Sequence, residues 1–514
     1  MEVQELLKLY AAHPQVTALD TLLKNDTSRN IFLKGLNGSG PAMTIASLFT
    51  KGRGSYVCVL NDQEEAGYFY HDLMQLTASN EVYFFPSAYR RAIKYGHVDP
   101  ANEILRTEVL SRLQDPDASF VIVTYPDALA ERVVAREVLK ENTLKISVGE
   151  KLDNMFVSDV LDEYGFEQVD YVYEPGQYAL RGSILDVFSF SYEFPYRIDF
   201  FGDEVETIRT FDVETQLSKE KLDSIYIVPE MSKNAKDSTS LLGSLPRNTF
   251  IAARDLAWCK ERIGSVWNDD PVVADEESFA DIDQMRKKLV RGEDFLREVL
   301  DFRRIHFGAR PMGTADATIH FSTQTQPIYH KNFDRVSESF HKYLDEGYTL
   351  YILSDQEKQA NRIRMIFEDR GDNIPFTAVN RTIHEGFADD TLRICFFTDH
   401  QLFDRFHKFN LKSDKARSGK ITLSLKELNQ FSQGDYIVHI DHGVGQFGGL
   451  VRTEVNGKMQ EAIKLIYQNN DIIFVSIHSL HKLSKYKGKE SGEPPKLSKL
   501  GTGAWEKMKE RTKA

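Results

Sequence analysis

Asn30-Ile-Phe-Leu-Lys-Gly-Leu-Asn-Gly-Ser-Gly-Pro-Ala42 is a short apolar run that leads into three closely spaced glycines. The pattern Gly-x-x-x-x-Gly-Lys-[Ser/Thr], placed between a strand and a helix, is typical of a loop that binds nucleotide phosphates. Gly35, Gly38 and Gly40 supply the glycines, and we predict a strand before them and a helix after them. The run therefore indicates an α/β domain of the phosphate-loop type.

The two residues that would act on a phosphate are missing from this loop. Pro41 stands where a lysine would reach the phosphates, and Ala42 stands where a hydroxyl would hold Mg²⁺. Pro41 also lacks a backbone N–H, so the loop loses a donor together with a charge. We predict a degenerate loop with no catalytic residue, no nucleotide cofactor and no metal. A tight strand–helix turn without any nucleotide role fits the same residues.

Strands and helices alternate in the first part of the chain. We predict a helix at Ala42–Phe49 and strands at Ser55–Leu60, Glu81–Phe85 and Phe120–Thr124. Asn248–Ala252 is predicted to be a strand that returns to the same sheet. Because these runs are almost continuously apolar, they are typical of a parallel sheet that is covered on both faces.

An antiparallel region interrupts this pattern. Its strands are predicted at Tyr178–Phe188, Tyr196–Phe201 and Glu204–Phe211, with Gly202-Asp203 as the hairpin signal between the last two. Met285–Glu298, further along, is predicted to be an amphipathic helix. We therefore expect an antiparallel module inserted into the parallel-sheet domain.

The second antiparallel strand has two unlike faces. Alternation buries Tyr196, Ile198 and Phe200 and places Arg197 and Phe201 together on the opposite, exposed face. An exposed aromatic residue beside an exposed arginine is the composition of a protein-binding surface.

Two further folded regions are predicted downstream. Helices at Val336–Glu346 and Glu357–Asp369 alternate with strands at Thr349–Ser354 and Leu392–Thr398, which predicts a small α/β domain. Asp435–Val475 contains several short β runs, typical of a small barrel.

Composition restricts the class of protein. The 514 residues carry a formal net charge of −13, which argues against broad electrostatic binding to DNA or RNA. Residues 482–514 hold ten Lys or Arg and four Asp or Glu, a net charge of +6, so residues 1–481 carry −19. No apolar run reaches the roughly 18 residues of a membrane span, and the N-terminus lacks a basic, apolar signal sequence. We predict a cytoplasmic, multidomain protein without a membrane partner.

The three cysteines, Cys58, Cys259 and Cys395, are widely separated in the sequence. This spacing fits neither a disulfide framework nor a metal site, and no activating motif surrounds any of them. We predict thiols in the hydrophobic core of a protein in a reducing compartment.

Two adjoining segments carry a specific resemblance. They are Tyr178-Ala-Leu-Arg-Gly-Ser-Ile-Leu-Asp-Val-Phe188 and Pro195-Tyr-Arg-Ile-Asp-Phe-Phe-Gly-Asp-Glu-Val-Glu-Thr-Ile-Arg-Thr-Phe211. Both resemble the UvrA-binding domain of the excision-repair protein UvrB, and more closely the matching module of the bacterial transcription-repair coupling factor (Mfd) family. The resemblance implies that Arg181, Arg197 and Phe201 bind UvrA, and that Arg197→Glu abolishes this binding without unfolding the chain.

The same resemblance relates the glycine loop to UvrB. It implies that Gly35–Gly40 corresponds to the phosphate loop of UvrB in a degenerate RecA-like domain. Ser87–His97 is the nearest counterpart of the aromatic hairpin with which UvrB grips DNA, but it is short and its only tyrosines are Tyr89 and Tyr95. We therefore expect little or no DNA binding by this chain.

A second resemblance lies near the end of the chain. Gly434-Asp-Tyr-Ile-Val-His-Ile-Asp-His-Gly-Val-Gly-Gln-Phe-Gly448 resembles the RNA polymerase-interacting domain of coupling factors, which CarD-like regulators share. The resemblance implies an SH3/Tudor-like barrel that adds an edge strand, Leu450–Val455, to the β subunit of RNA polymerase. The candidate contact residues are Leu450, Val451, Arg452 and Thr453. His439, Asp441 and His442 are interpreted as polar turn residues rather than as metal ligands.

These patterns together predict the domain organisation. The predicted regions are a UvrB-like domain in two halves (1–135 and 226–330), an inserted UvrA-binding module (136–225), a small α/β domain (331–410), a linker (411–430), a polymerase-interacting domain (431–490) and a connector (491–514). Leu500-Gly-Thr-Gly-Ala-Trp505 resembles the connector that leads into the family's ATP-driven motor, so we expect the chain to be an excised fragment.

The predicted function is that of a scaffold in transcription-coupled DNA repair. The chain would hold RNA polymerase through one module and recruit UvrA through another, as a monomer without enzymatic activity. ATP, Mg²⁺ and DNA would be bound only by the absent motor. The alternatives are a UvrB-like ATPase or helicase and a CarD-like transcription regulator.

Overall fold

The structure is a computed structural model that describes most of the chain. The described residues are 1–25, 28–88, 99–115, 117–213, 215–230, 238–268, 286–405, 407, 409, 411, 431–439, 441–455, 458–476, 483–486 and 495–500. The chain divides into two compact units. One comprises Met1–Thr143 and Glu230–Lys412, and the other comprises Leu144–Pro229 and Ser413–Ala514.

The secondary structure alternates between short helices and short strands. The helices are α1 (Val3–Ala11), α2 (Pro14–Lys24), α3 (Gly40–Thr50), α4 (Gln63–Thr77), α5 (Pro100–Arg112), α6 (Pro126–Leu129), α7 (Arg136–Glu141), α8 (Asn154–Glu163), α9 (Leu241–Ser244), α10 (Leu256–Asn268), α11 (Gly292–Val299), α12 (Phe333–Asp345), α13 (Glu357–Asp369) and α14 (Asp399–Leu402). The strands are β1 (Asn30–Lys34), β2 (Tyr56–Val59), β3 (Val82–Phe85), β4 (Val121–Thr124), β5 (Val133–Val134), β6 (Leu144–Ser147), β7 (Glu167–Gln168), β8 (Gln177–Arg181), β9 (Ile184–Val187), β10 (Tyr196–Phe201), β11 (Glu204–Phe211), β12 (Ser218–Leu222), β13 (Ser224–Ile227), β14 (Ser238–Thr239), β15 (Phe250–Ala253), β16 (Arg303–His306), β17 (Ala317–His320), β18 (Thr323–Thr325), β19 (Thr349–Leu353), β20 (Thr377–Val379), β21 (Phe387–Asp389), β22 (Ile394–Thr398), β23 (Tyr436–His439), β24 (Gly443–Val455), β25 (Lys458–Ile466), β26 (Ile472–Ser476) and β27 (Leu483–Lys485).

The first unit contains the predicted parallel sheet. Its seven strands follow the order β17-β1-β16-β15-β2-β4-β3, and every neighbouring pair is parallel. β2, β3, β4 and β15 are buried along their whole length, as expected of strands covered on both faces. The parallel sheet and the returning strand are thus confirmed. β16 escaped prediction because its sequence, Arg-Arg-Ile-His, contains no apolar run.

The first unit also contains a five-stranded sheet and a two-stranded sheet of β5 and β14. The five-stranded sheet comes mainly from the second predicted α/β region. The strand order of the five-stranded sheet is β18-β21-β22-β19-β20. β19 is parallel to β22 and β20, whereas β21 is antiparallel to β18 and β22. The two helices and two strands predicted for a small α/β region are present as α12, α13, β19 and β22. Their apolar sides share one core, which includes Phe340, Ile352 and Ile363.

The single helix predicted at Met285–Glu298 is wrong, because Arg286 and Lys287 are helical but residues 288–291 interrupt the helix. Leu289 instead forms a β-bridge with Glu131, and α11 begins only at Gly292. The N–H of Val290 donates to the carbonyl of Ala130 at 2.7 Å, so backbone pairing with a neighbouring segment replaces the helical hydrogen bonds.

The antiparallel module of the second unit is a six-stranded sheet. Its order is β12-β11-β10-β9-β8-β7, and one face packs on α8 through a core that contains Val157, Leu161, Ile198 and Phe200. The single strand predicted at Tyr178–Phe188 is wrong, because it is a hairpin of β8 and β9. Gly182 makes the turn with a φ of +64°, a conformation that favours glycine.

The last described sheet has five antiparallel strands in the order β26-β25-β24-β23-β27. Its core contains Ile437, Phe447, Ile463, Leu465 and Val475. Leu450–Val455, predicted to be an edge strand, is the distal half of β24; it pairs with β25, whereas β23 pairs with β24 only from Gly443 to Gln446.

The remaining predictions concern the cysteines, membrane-spanning helices and three segments of the chain. All three cysteines are buried free thiols, as predicted, and burial raises their pKa values. In the part of the chain that the structure describes, no helix is both long and apolar enough to cross a membrane. Residues 412–430 of the linker proposed at 411–430, most of the Ser87–His97 stretch and Trp505–Ala514 lie outside the described residues.

Candidate docking surfaces and the glycine loop

The glycine loop connects β1 to α3, as the sequence predicted. Gly35 and Gly38 have φ values of +89° and +53°, and α3 begins at Gly40 with Pro41 in its first turn. Pro41 and Ala42 are both buried within the fold. The strand–loop–helix geometry of a phosphate loop is therefore present without its lysine and hydroxyl.

Two backbone N–H groups of the glycine loop donate hydrogen bonds to other parts of the chain. The N–H of Asn37 donates to Thr323 Oγ1 at 2.9 Å, and the N–H of Ser39 donates to the carbonyl of Glu385 at 3.0 Å. The N–H of Glu385 returns a hydrogen bond to Ser39 Oγ at 3.0 Å, and the Thr323 hydroxyl donates to the carbonyl of Gly35 at 2.8 Å. Two segments of the same chain, around Thr323 and Glu385, are thus hydrogen-bonded to the glycine loop.

Close packing of the segments around Phe321 and Gly386 explains why glycines occupy positions 35 and 38 of the loop. A Cβ atom on Gly35 would lie 2.3 Å from the carbonyl oxygen of Phe321, and one on Gly38 would lie 2.9 Å from the carbonyl oxygen of Gly386. Both distances are shorter than Cβ contacts in folded proteins. Close backbone packing is therefore a sufficient reason for these glycines.

We expect Gly35→Ala to lower the free energy of unfolding by about 3 kcal/mol, because it adds a backbone clash to the strain of a positive φ. Gly52→Ala is the matched control, since Gly52 also has a positive φ of +70° but meets nothing within 4 Å. This control should lose only about 1 kcal/mol. Chemical denaturation of both variants measures the difference. Equal losses would contradict the close packing of the loop.

A buried polar cluster that the sequence did not suggest lies beside the loop. Asp72 on α4 accepts a hydrogen bond from the N–H of His384 at 2.7 Å, and burial raises the pKa of Asp72 to about 7. The ring of His384 stacks on Tyr68 with 3.6 Å between the ring centres, and burial lowers the pKa of His384 to about 4. The cluster attaches the segment around Glu385 to α4. Only the fold brings these residues together, since His384 lies 312 positions after Asp72.

The predicted UvrA-binding residues lie on the outer face of the six-stranded sheet. Arg197 on β10 donates to both oxygens of Asp186 on β9, from Nε at 2.7 Å and from Nη2 at 2.8 Å. Arg181 on β8 hydrogen-bonds the same carboxylate and donates to the carbonyl of Asp170 at 2.7 Å. One wholly buried carboxylate therefore orients both arginines. The sequence analysis missed Asp186, although its position opposite Arg197 follows from strand register.

Arg197 is less exposed than its alternation pattern suggested. Its side chain is 16% exposed, lies 4.4 Å over the ring of Phe211 and donates to the carbonyl of Gln216. The hydrogen bonds that Arg197 donates to the Asp186 carboxylate raise the pKa of its guanidinium. Arg197→Glu would place a second carboxylate against Asp186, so this change would affect folding as well as binding.

Phe201 is the most exposed of the three predicted residues. It ends β10 beside the Gly202-Asp203 turn with 80% of its surface accessible, whereas the neighbouring Phe200 is in the core. The N–H of Phe200 donates to the carbonyl of Ser183 at 2.9 Å, in the turn that follows Arg181. The structure therefore brings Arg181 and Phe201 to the same end of the sheet. We call it the hairpin end, defined by the turns at Gly182-Ser183 and Gly202-Asp203.

The candidate polymerase-binding stretch is the distal half of β24. Leu450–Val455 pairs along one edge with Lys458–Ile463 of β25, whereas β23 pairs with β24 only from Gly443 to Gln446. Among the described residues, no strand pairs with the second edge of β24 beyond Gln446. Leu450 is 46% exposed. Within the described part of the chain, this stretch thus has an open backbone edge although β24 is an inner strand.

His439 and His442 lie together at the turn between β23 and β24. Their ring centres are 4.5 Å apart, and the N–H of Asp441 donates to Nδ1 of His439 at 3.0 Å. The described residues contain no group of three or more His, Cys, Asp or Glu side chains arranged to hold a metal ion.

Comparison with known proteins adds two domain assignments. Residues 144–232 match the UvrB interaction domain, and residues 431–487 match the CarD-like/TRCF RID domain. The first match covers the six-stranded sheet with Arg181, Arg197 and Phe201. The second covers the five-stranded antiparallel sheet with Leu450–Val455.

Similarity to complete proteins extends over nearly the whole chain. The transcription-repair-coupling factor of Staphylococcus aureus (strain USA300) is 24% identical over 580 aligned positions, which cover 96% of this chain and 49% of that protein. The transcription-repair-coupling factor of Bacillus subtilis (strain 168) is 24% identical over 558 positions, which cover 93% of this chain and 47% of that protein. The chain thus spans about half the length of the curated relatives that it matches.

The resemblance inferred from Tyr178–Phe211 and Gly434–Gly448 is confirmed by these matches: the chain is similar to transcription-repair-coupling factors over nearly its whole length, and two of its regions match the UvrB interaction domain and the CarD-like/TRCF RID domain.

Proposed function

We propose that this chain is a docking scaffold of transcription-coupled DNA repair, which binds RNA polymerase through one module and UvrA through another. The observation that carries the proposal is the presence of both interaction domains in one chain, each with a surface that suits protein binding. The full relatives are named as transcription-repair-coupling factors, which fits a protein that links two machineries.

The UvrA site is proposed on the outer face and hairpin end of the six-stranded sheet. Phe201 supplies an exposed aromatic anchor, and Arg181 supplies a charged group that Asp186 holds in place. Aromatic and arginine side chains dominate binding energy at protein interfaces. Arg197 contributes mainly by completing the network around Asp186, since most of its own surface is covered.

The polymerase site is proposed on Leu450, Val451, Arg452 and Thr453 of β24. An extended strand of the β subunit would pair with the second edge of this stretch, so backbone hydrogen bonds would supply affinity. The partial exposure of Leu450 offers an apolar contact beside the paired backbones. The finer fold assignment, an SH3/Tudor-like barrel, belongs to this proposal.

We propose further that the chain itself has no ATPase activity. The hydrogen bonds from Asn37 and Ser39 to other protein groups support this, as does the replacement of the two catalytic positions by Pro41 and Ala42. The motor activity, its ATP and Mg²⁺, and contacts with DNA are assigned to the part of the relatives that this chain does not span. The domain boundaries given above, a RecA-like ancestry of the parallel sheet, a monomeric state and a cytoplasmic location complete the proposal.

Nucleotide assays distinguish the scaffold from a UvrB-like ATPase. The chain should neither bind a fluorescent ATP analogue nor hydrolyse ATP. The double variant Pro41→Lys/Ala42→Thr should gain no binding, because the loop amides stay bound to Thr323 and Glu385. ATP turnover that disappears when Gly38 or Ser39 is replaced would contradict the proposal.

Partner binding distinguishes the scaffold from a CarD-like regulator. Pull-down experiments with the full 514-residue chain should retain both purified UvrA and the purified β subunit of RNA polymerase. Retention of the β subunit alone would favour the regulator.

A further inference from the structure

Three large apolar side chains are exposed at the hairpin end of the six-stranded sheet. Phe201 is 80% exposed, and Met155 and Phe156 in the first turn of α8 are 59% and 52% exposed. The proposed function accounts for Phe201 but gives no reason for the other two.

One backbone and one side-chain hydrogen bond fix the start of α8 at the end of the sheet that carries Phe201. The N–H of Leu152 donates to the carbonyl of Asp203 at 2.7 Å, and Asn154 Nδ2 donates to the carbonyl of Gly182 at 3.3 Å. The segment that enters α8 therefore contacts both turns of the hairpin end, and Met155 and Phe156 follow it directly. All three apolar side chains belong to this one end of the sheet.

The packing of α8 does not require these two residues. The helix is anchored by Val157 and Leu161, which are wholly buried in the core of the module. Asp153 caps the helix by accepting a hydrogen bond from the N–H of Met155 at 3.0 Å. Polar or acidic side chains are the favourable choice for exposed positions in a first turn. Two adjoining large apolar residues there indicate a binding role.

We propose that the first turn of α8 is part of the UvrA-docking surface, in which Met155 and Phe156 join Phe201 in an apolar patch beside Arg181. This inference rests on the proposed function and enlarges its site from the sheet to the adjoining helix. The position of Met155 and Phe156 at the two turns of the hairpin end, which also carries Phe201, identifies the occupant as the same partner. That partner surface should offer an apolar depression with an acidic group at its margin, opposite the exposed part of Arg181.

Binding of purified UvrA to the full chain tests the inference. The double variant Met155→Ala/Phe156→Ala should weaken the affinity at least about tenfold, as expected when anchors of an interface are truncated. Tyr226→Ala is the matched control, because Tyr226 is an aromatic residue of similar exposure, 50%, in β13. Its carbonyl hydrogen-bonds Ser191, which lies beyond the opposite end of β9. This control should bind UvrA as tightly as the parent chain.

The outcomes separate this inference from the proposed function. If Phe201→Ala weakens binding while the double variant binds like the parent chain, the enlarged site is overturned and the proposed function stands. If the parent chain does not bind UvrA, both fail. A parent chain that is a dimer, with a monomeric double variant of unchanged UvrA affinity, would show self-association and overturn the inference. Thermal unfolding of the double variant checks its fold, and Phe156→Ser provides a milder second variant.

Discussion

Asp186→Ala is expected to lower the free energy of unfolding by about 3 kcal/mol and to remove most binding of UvrA. Asp186 is wholly buried and accepts hydrogen bonds from Arg181 and Arg197. Its loss leaves the largely covered Arg197 guanidinium without its counter-charge, and it releases both arginines from one fixed arrangement. Chemical denaturation measures the first effect, and titration calorimetry with UvrA measures the second.

Asp199→Ala is the control for this change. Asp199 lies on the same face of β10 and pairs with Arg209, but its side chain is 19% exposed, so water can solvate the remaining arginine. It should lose about 1 kcal/mol and keep most UvrA affinity. If Asp186→Ala is as stable as the parent chain and binds UvrA equally well, the carboxylate does not organise the docking surface.

Two neighbouring proline substitutions should have very different effects on polymerase binding. Successive N–H groups of a strand point to opposite edges, so one of Arg452→Pro and Thr453→Pro removes a donor that faces β25. The other removes a donor that faces the second edge. The outward position should lose binding of the β subunit with little change in stability, whereas the inward position should destabilise the β24–β25 hairpin.

Thr453→Val controls for the side chain. It keeps the backbone N–H and a β-branched shape, so it should bind the β subunit like the parent chain if backbone pairing supplies the affinity. Pull-down with the purified β subunit measures binding, and thermal unfolding measures stability. Full binding by both proline variants would place the polymerase site elsewhere on the chain.

Local sequence patterns predicted the parallel sheet well. The strands at 56–59, 82–85 and 121–124 are short apolar runs between helical segments, and such runs leave few alternatives. β16 failed this test because two of its polar residues, Arg303 and His306, are satisfied by distant groups. His306 Nε2, for example, lies 2.7 Å from Asn30 Oδ1, a partner 276 positions away. No pattern within a window of sequence contains that information.

In the candidate sites too, local sequence patterns predicted some features, whereas others depend on contacts between distant residues. Phe201 was correctly predicted to lie on the exposed face, because alternation along one strand determines it. The covering of Arg197 by Phe211 and Gln216 depends on how the chain returns over the sheet, so it needed the structure. The absence of a lysine and a hydroxyl residue at positions 41 and 42 of the glycine loop predicted the loss of catalysis. Thr323 and Glu385 accept hydrogen bonds from the loop amides only through tertiary contacts, and these contacts join positions up to 346 residues apart.

Simultaneous binding of both partners tests the central claim most directly. Immobilised RNA polymerase should retain UvrA when the 514-residue chain is present and release it when the chain is omitted. Phe201→Ala should abolish retention of UvrA while the chain itself stays bound to polymerase. A chain that binds each partner alone but never both together, or that retains UvrA regardless of Phe201, would contradict the scaffold.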